Sequence, residues 1–89
     1  MTDAIRSEAT KELKRIKQIM EKLEIADSVK SVSLVKVMNS YYEDCLSFYK
    51  KGQYLQALET AYIVWAQVDS GLHLGVFKVP DSMKSMFTI

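Results

Sequence analysis

Apolar residues return at steps of four and three along most of the chain. In the first segment Ala9, Leu13, Ile16, Met20 and Leu23 keep this rhythm, with Ile5 and Ile19 alongside. Side chains at that spacing share one helix face, which predicts a helix over about 3–25 with Thr2 or Asp3 as its N-cap. The rhythm lapses at IADS, residues 25–28, where Asp27 or Ser28 can cap a second helix. That helix, predicted over 28–51, opens on the β-branched run VKSVSLVKVM, which alone would suit a strand. The steps of Leu34, Met38, Tyr41, Cys45 and Phe48 decide for a helix. A second row, Val35, Tyr42, Leu46 and Tyr49, widens its apolar arc to roughly half the circumference, more than one neighbour needs.

Lys50 and Lys51 ahead of Gly52 form a helix stop, with cations at the negative end and glycine at C′. The third helix, over 53–74, carries Tyr54, Leu58, Ala61, Trp65, Val68 and Leu72 in the same rhythm, and Gly75 ends it. Pro80 can start a short helical turn over about 80–86 that tucks Met83, Met86 and Phe87 onto the helices. The expected fold is all-α: a three-helix up-and-down antiparallel bundle with a packed C-terminal tail, forming a single domain over 1–89.

Composition narrows the function more by exclusion than by indication. Hydrophobic residues are 48% of the 89 and charged residues 26%, as in a folded globular domain. Twelve Lys+Arg against eleven Asp+Glu give a net charge of +1, so no global field draws in nucleic acid or an acidic membrane. The opening MTDAIRSEAT has no apolar core of a signal peptide, and no apolar run approaches the ~20 residues that cross a bilayer. A cytoplasmic location is therefore expected. A lone Cys45 excludes an internal disulfide, and a lone His73 excludes multi-histidine metal sites. No phosphate loop, metalloprotease motif or serine elbow is present, so neither enzyme activity, cofactor nor metal is expected.

The segment WAQVDSGLHLGVF, residues 65–77, sets Asp69 inside the apolar arc of the third helix, between Trp65 and Tyr62 on the wheel. A carboxylate there must be hydrogen-bonded, paired or wet at its edge. The candidate partners are the hydroxyls of Tyr41, Tyr42 or Tyr62, a lysine, N–H groups at a helix start, or His73 one turn on. Asp69 then reads either as a polar anchor fixing register or as a general base paired with His73. Asp44, beside the apolar face of the second helix, could meet Asp69 and share a cation. Ala57, Gly71 and Gly75 belong to a small-residue flank that admits a neighbouring helix closely.

Two binding surfaces are also open. The aromatic residues Tyr41, Tyr42, Tyr49 and Trp65 are the candidate apolar anchors for a protein partner or a second copy of the chain. On helix one, Lys11, Lys14, Arg15 and Lys22 form a narrow basic strip that would suit RNA or a nucleotide. Glu8, Glu12, Glu21 and Glu24 on the same helix make that surface mixed.

FYKKGQYLQALETAY, residues 48–62, has the turn chemistry of a tetratricopeptide hairpin, but no second copy follows at ~34 residues as that repeat requires. The longer stretch YYEDCLSFYKKGQYLQALETAYIVWAQVDSGLHLGVF, residues 41–77, resembles the short archaeal proteins of domain of unknown function 357. The matching features fall on Tyr41 or Tyr42, Asp44, Phe48, Gly52, Ala57, Asp69, Gly71, Leu74 and Gly75. Cys45, Val68 and Ser70 depart from the pattern with small or volume-tolerant changes, and helix one matches only in length and amphipathic character. The resemblance implies an archaeal cytoplasmic three-helix bundle without a known activity.

Overall fold

The computed structural model describes residues 2–89, less the side chain of Thr2. Its long elements are α1 (Thr2–Lys22), α2 (Val32–Lys50) and α3 (Tyr54–His73), joined by two short strands, β1 (Glu24–Ile25) and β2 (Phe77–Lys78), and a 3₁₀ turn, Asp81–Met86. The chain is thus mostly helical with packed helices, as the rhythm predicts. Helix α3 lies between the other two, while α1 and α2 barely touch. The molecule is correspondingly flat, 41 × 25 × 18 Å.

Small residues explain why α3 takes the centre. Its fully covered line is Ala57, Thr60, Ala61, Val64, Val68 and Gly71, whereas Trp65 and Leu72 of the expected row are half-buried. Short side chains let two neighbours approach one helix from both sides. Ile16 and Ile19 of α1, Met38 and Cys45 of α2, and Val64, Val68 and Phe77 complete the most deeply buried set.

Both predicted glycine stops are built the same way. Gly52 N–H donates to Tyr49 O (3.1 Å) and Gln53 N–H to Phe48 O (2.9 Å). Gly75 N–H donates to Leu72 O (3.1 Å) and Val76 N–H to Gly71 O (3.0 Å). Each is a Schellman closure, with glycine at φ 77° and 74° where a side chain would be strained. Gly75 therefore serves conformation and not close packing, since a Cβ placed on it would meet open space. Gly71 does serve packing, but against a phenylalanine of the tail instead of a helix. A Cβ there would lie 2.7 Å from Phe77 Cγ and nearer still to its Cδ2.

The connection between α1 and α2 departs from expectation. Helix α1 ends at Lys22 and not near 25, because Glu24 and Ile25 pair with Lys78 and Phe77 of the tail in an antiparallel ladder. Ala26 N–H extends it to Val76 O (2.8 Å). Helix α2 begins at Val32 and not near 28. Asp27 does cap, but it caps a single turn: its Oδ1 accepts from Val29 N–H (3.1 Å) and Lys30 N–H (2.9 Å). At the other end, α1 is already helical at Thr2, which puts Asp3 in the first turn. The residue ahead of it, and Thr2 as a capping side chain, lie outside the described residues.

One polar contact ties the two outer helices. Tyr49 Oη and Thr10 Oγ1 are 2.6 Å apart in a half-buried setting. Tyr49→Phe should lower unfolding free energy by about 1 kcal/mol, the worth of one such hydrogen bond, in urea titrations followed by circular dichroism. No change would mean that the contact is replaced by water at no cost.

Candidate functional site

The question raised by Asp69 has a specific answer. Its partner is none of the tyrosines or lysines; it is the tail. Asp69 Oδ1 accepts from Thr88 N–H (3.0 Å) and Oδ2 from Thr88 Oγ1 (2.7 Å). His73 Nε2 lies 2.6 Å from the same Thr88 hydroxyl and 3.9 Å from Asp69 Oδ1. The i, i+4 spacing on α3 brings the two side chains to one edge, and the tail returns to meet them. The Thr88 hydroxyl, then its N–H, and to a lesser extent His73 hold the Asp69 carboxyl below its ordinary 3.8, against a smaller opposing effect of burial.

Proton accounting decides what this cluster can do. A threonine hydroxyl has one proton, and an ionised carboxylate only accepts. Thr88 therefore donates to Asp69, and His73 Nε2 carries the proton that points at Thr88. In a carboxylate–imidazole–hydroxyl relay the carboxylate holds the far ring nitrogen and the near one takes the hydroxyl proton. Here the ring nitrogen that meets the hydroxyl is also the one that faces the carboxylate, at 3.9 Å and without a hydrogen bond to it. The arrangement is a latch on the tail.

Asp44 does not join it. Cys45 Sγ donates to Ala57 O (3.3 Å), which sets the register of α2 on α3. Asp44 is thus level with about Leu58, and Asp69 lies eleven residues further on, roughly 16 Å along the axis at ~1.5 Å per residue. A cation shared by these two carboxylates is ruled out by that separation. Among the described residues no group of three or more His, Cys, Asp or Glu could hold a metal ion. Burial pushes the Cys45 thiol above its usual value, which disfavours the thiolate a nucleophile requires.

The four aromatic anchors all pack against the core of their own chain and are half-buried. Tyr49 is held by Thr10, and Trp65 Nε1 donates to Met86 O (3.0 Å) with its ring edge-on to Phe87. Burial, then the proximity of Cys45 and Glu21, raises the Tyr42 phenol. Tyr41 lines the α2 surface beside Ser40 and Asp44.

The basic strip is also partly committed. Lys11 pairs with Glu8 (3.6 Å), and Arg15 pairs with Glu12 (2.8 Å) while lying 6.0 Å over the Trp65 ring. Glu12 is not on the solvated face to which sequence assigned it: only 3% of it is exposed, and Oε2 has no partner among the described residues. Its spacing held the signal, since Glu12 stands four residues before Ile16 and seven before Ile19, on the buried line.

Fold and site together define a small helical protein closed by its own tail. No helix among the described residues is long and apolar enough to cross a membrane. Neither a family model nor a curated protein matches the sequence. Among solved structures, the crystal structure of an Archaeoglobus fulgidus protein of domain of unknown function 357 shares this fold. The TM-score is 0.72 at 25% identity, over 89% of this chain and 97% of that one. The chain is similar to that family in three dimensions as well as in residues 41–77, and the structural likeness extends well beyond that segment.

Proposed function

We propose that this protein is a non-enzymatic interaction module that pairs with a second copy of itself through the outer face of α3. The frame in this reading is an up-and-down bundle. Support comes from Arg6 lying over Tyr54 and Arg15 over Trp65, which align α1 with α3 in one direction, and from Cys45 meeting Ala57 while Tyr49 meets Tyr54, which runs α2 and α3 in opposite directions. By likeness to the Archaeoglobus protein, the setting is an archaeal cytoplasm.

The observation that carries the reading is the exposure of α3 itself. Although it is the central helix, it leaves Leu55 53%, Tyr62 49% and Ile63 37% exposed. Leu55, Glu59, Tyr62 and Ala66 fall on one line at steps of four, three and four, with Ile63 beside it, so a single exposed carboxylate interrupts an otherwise apolar row. An exposed, mainly apolar patch on one helix suits a two-fold pair, in which the same residues meet from both sides. The aromatic residues singled out from sequence are mostly occupied inside the chain, so the interface moves from α2 to α3.

Sedimentation over a dilution series tests this. The wild type should move from dimer to monomer, and Tyr62→Lys should weaken pairing by at least about tenfold, since it sets a charge in an apolar contact. The lysine faces Glu12 and Glu8 together with Arg15, the charges that act on Tyr62, and at this exposed position helicity should be unchanged. A wild type that stays monomeric at every concentration overturns the reading.

A further inference from the structure

We propose that the cavity between the β ladder, the last turn of α3 and the tail is a binding site for a free aliphatic α-amino acid. The cavity shares no residue with the exposed face of α3 around Leu55 and Tyr62, so this site stands apart from self-association.

A space of about 410 Å³ opens there, in the lower part of the range that holds small ligands. Its apolar lining comes from Leu72 of α3, Phe77 of β2, Val79 just after it, and Ile89 of the tail. Phe77 and Val79 belong to the buried core, so this side of the cavity is anchored in the fold. Ile89 directly follows Thr88, whose N–H and hydroxyl are held by Asp69. The latch on the tail therefore sets one wall of the cavity.

The charged lining decides the class of ligand. Glu24, Lys78, Asp81 and Lys84 all border the same space. Two of them satisfy each other, since Lys84 Nζ lies 2.8 Å from Asp81 Oδ1. Neither Glu24 nor Lys78 forms an ion pair among the described residues. Both are exposed, so each can reach a ligand. They stand directly opposite each other in the antiparallel ladder, which sends both side chains to one face with Cβ atoms about 5 Å apart. A simple anion there would be drawn to Lys78 and repelled by Glu24, and a simple cation the reverse. A molecule with both charges on one carbon answers both groups at once, and that is the chemistry of an α-amino acid. Its ammonium would donate to Glu24 and its carboxylate would accept from Lys78. Its aliphatic side chain would lie against Leu72, Phe77 and Val79.

The test is an NMR amide-shift titration of the full chain with L-leucine, at neutral pH and fixed ionic strength. Two further probes keep the side chain and lack one charge each: leucinamide has no carboxylate, and isocaproate has no amine. Leucine should give saturable shifts centred on Glu24, Leu72, Phe77, Lys78 and Ile89. Each single-charge probe should bind at least about fivefold more weakly, the scale of one charge-assisted contact at an accessible site. Lys78→Met and Glu24→Gln should weaken leucine by a similar factor. Both positions are exposed, so helical circular dichroism should not change. In Lys78→Met the advantage of leucine over leucinamide should vanish, and in Glu24→Gln its advantage over isocaproate. Equal binding of the three probes to the wild type would overturn the proposal. So would unsaturable or scattered shifts, or an unaltered leucine affinity in either variant.

Discussion

Phe77→Ala is expected to lower the unfolding free energy by about 3–5 kcal/mol, the cost of emptying a well-packed aromatic site. Phe77 is 2% exposed and occupies a seat that exists because residue 71 has no side chain. It joins the ladder to Ile25 on one side and packs on α3 on the other, so it fastens the tail to both. Gly71→Ala tests the same seat from below. Alanine improves helix propensity by about 1 kcal/mol, yet its Cβ would enter the Phe77 ring, and overpacking of that kind costs about 1–3 kcal/mol. The net expectation is a loss. The double variant discriminates: with the ring gone, alanine at 71 meets no obstacle, so the pair should cost less than the sum of the singles. Urea titrations of the four proteins measure this. Strict additivity would show that Gly71 and Phe77 do not share a seat.

Asp69→Asn is expected to loosen the tail while leaving the three helices folded. The carboxylate takes two hydrogen bonds from Thr88, and bonds to a charged acceptor are worth about 1.5–3 kcal/mol each when buried. With 21% of the Asp69 side chain still exposed, a total of about 1–2 kcal/mol is the reasonable scale. Trp65 is the only tryptophan, and it reports directly on the tail through Met86 O and Phe87. Its emission should shift to the red in the variant, with helical circular dichroism nearly unchanged.

The same latch predicts a pH response of defined sign. Folding lowers the Asp69 pKa, so the stabilisation is complete above the ordinary carboxylate value and is lost as pH falls through the lower folded value. Wild-type emission should therefore be flat through neutral pH and shift below about pH 4. Asp81, paired with Lys84 at 2.8 Å, is depressed as well and titrates on the same limb. The difference between wild type and Asp69→Asn isolates the latch. An acid limb identical in both proteins would assign it to groups other than Asp69.

Particular residues show how far sequence alone reaches here. The Gly52 and Gly75 stops were legible because a left-handed turn demands a residue type, wherever the rest of the chain lies. The role of Gly71 was half legible: its smallness announced a close approach, but its position does not say that Phe77 is what approaches. Asp69 was conspicuous for the same kind of reason, a carboxylate in an apolar arc, while its partner is nineteen residues on in a tail with no periodicity to align it. The strand pair eluded the reading because two-residue strands carry no alternation to detect. The carboxylate pair failed because position on a helix face says nothing about height, and Asp44 and Asp69 stand at different levels of the hairpin.

By itself the sequence determined the three helices, the glycine stops of α2 and α3 and the oddity of Asp69, since each depends on interactions within a few turns of backbone. The tertiary structure alone decided which helix is central, that Glu12 is buried, that α1 yields its last turn to a strand, and that Thr88 answers Asp69. Those outcomes depend on contacts between residues far apart in the chain, where neither propensity nor spacing names a partner and only packing selects one.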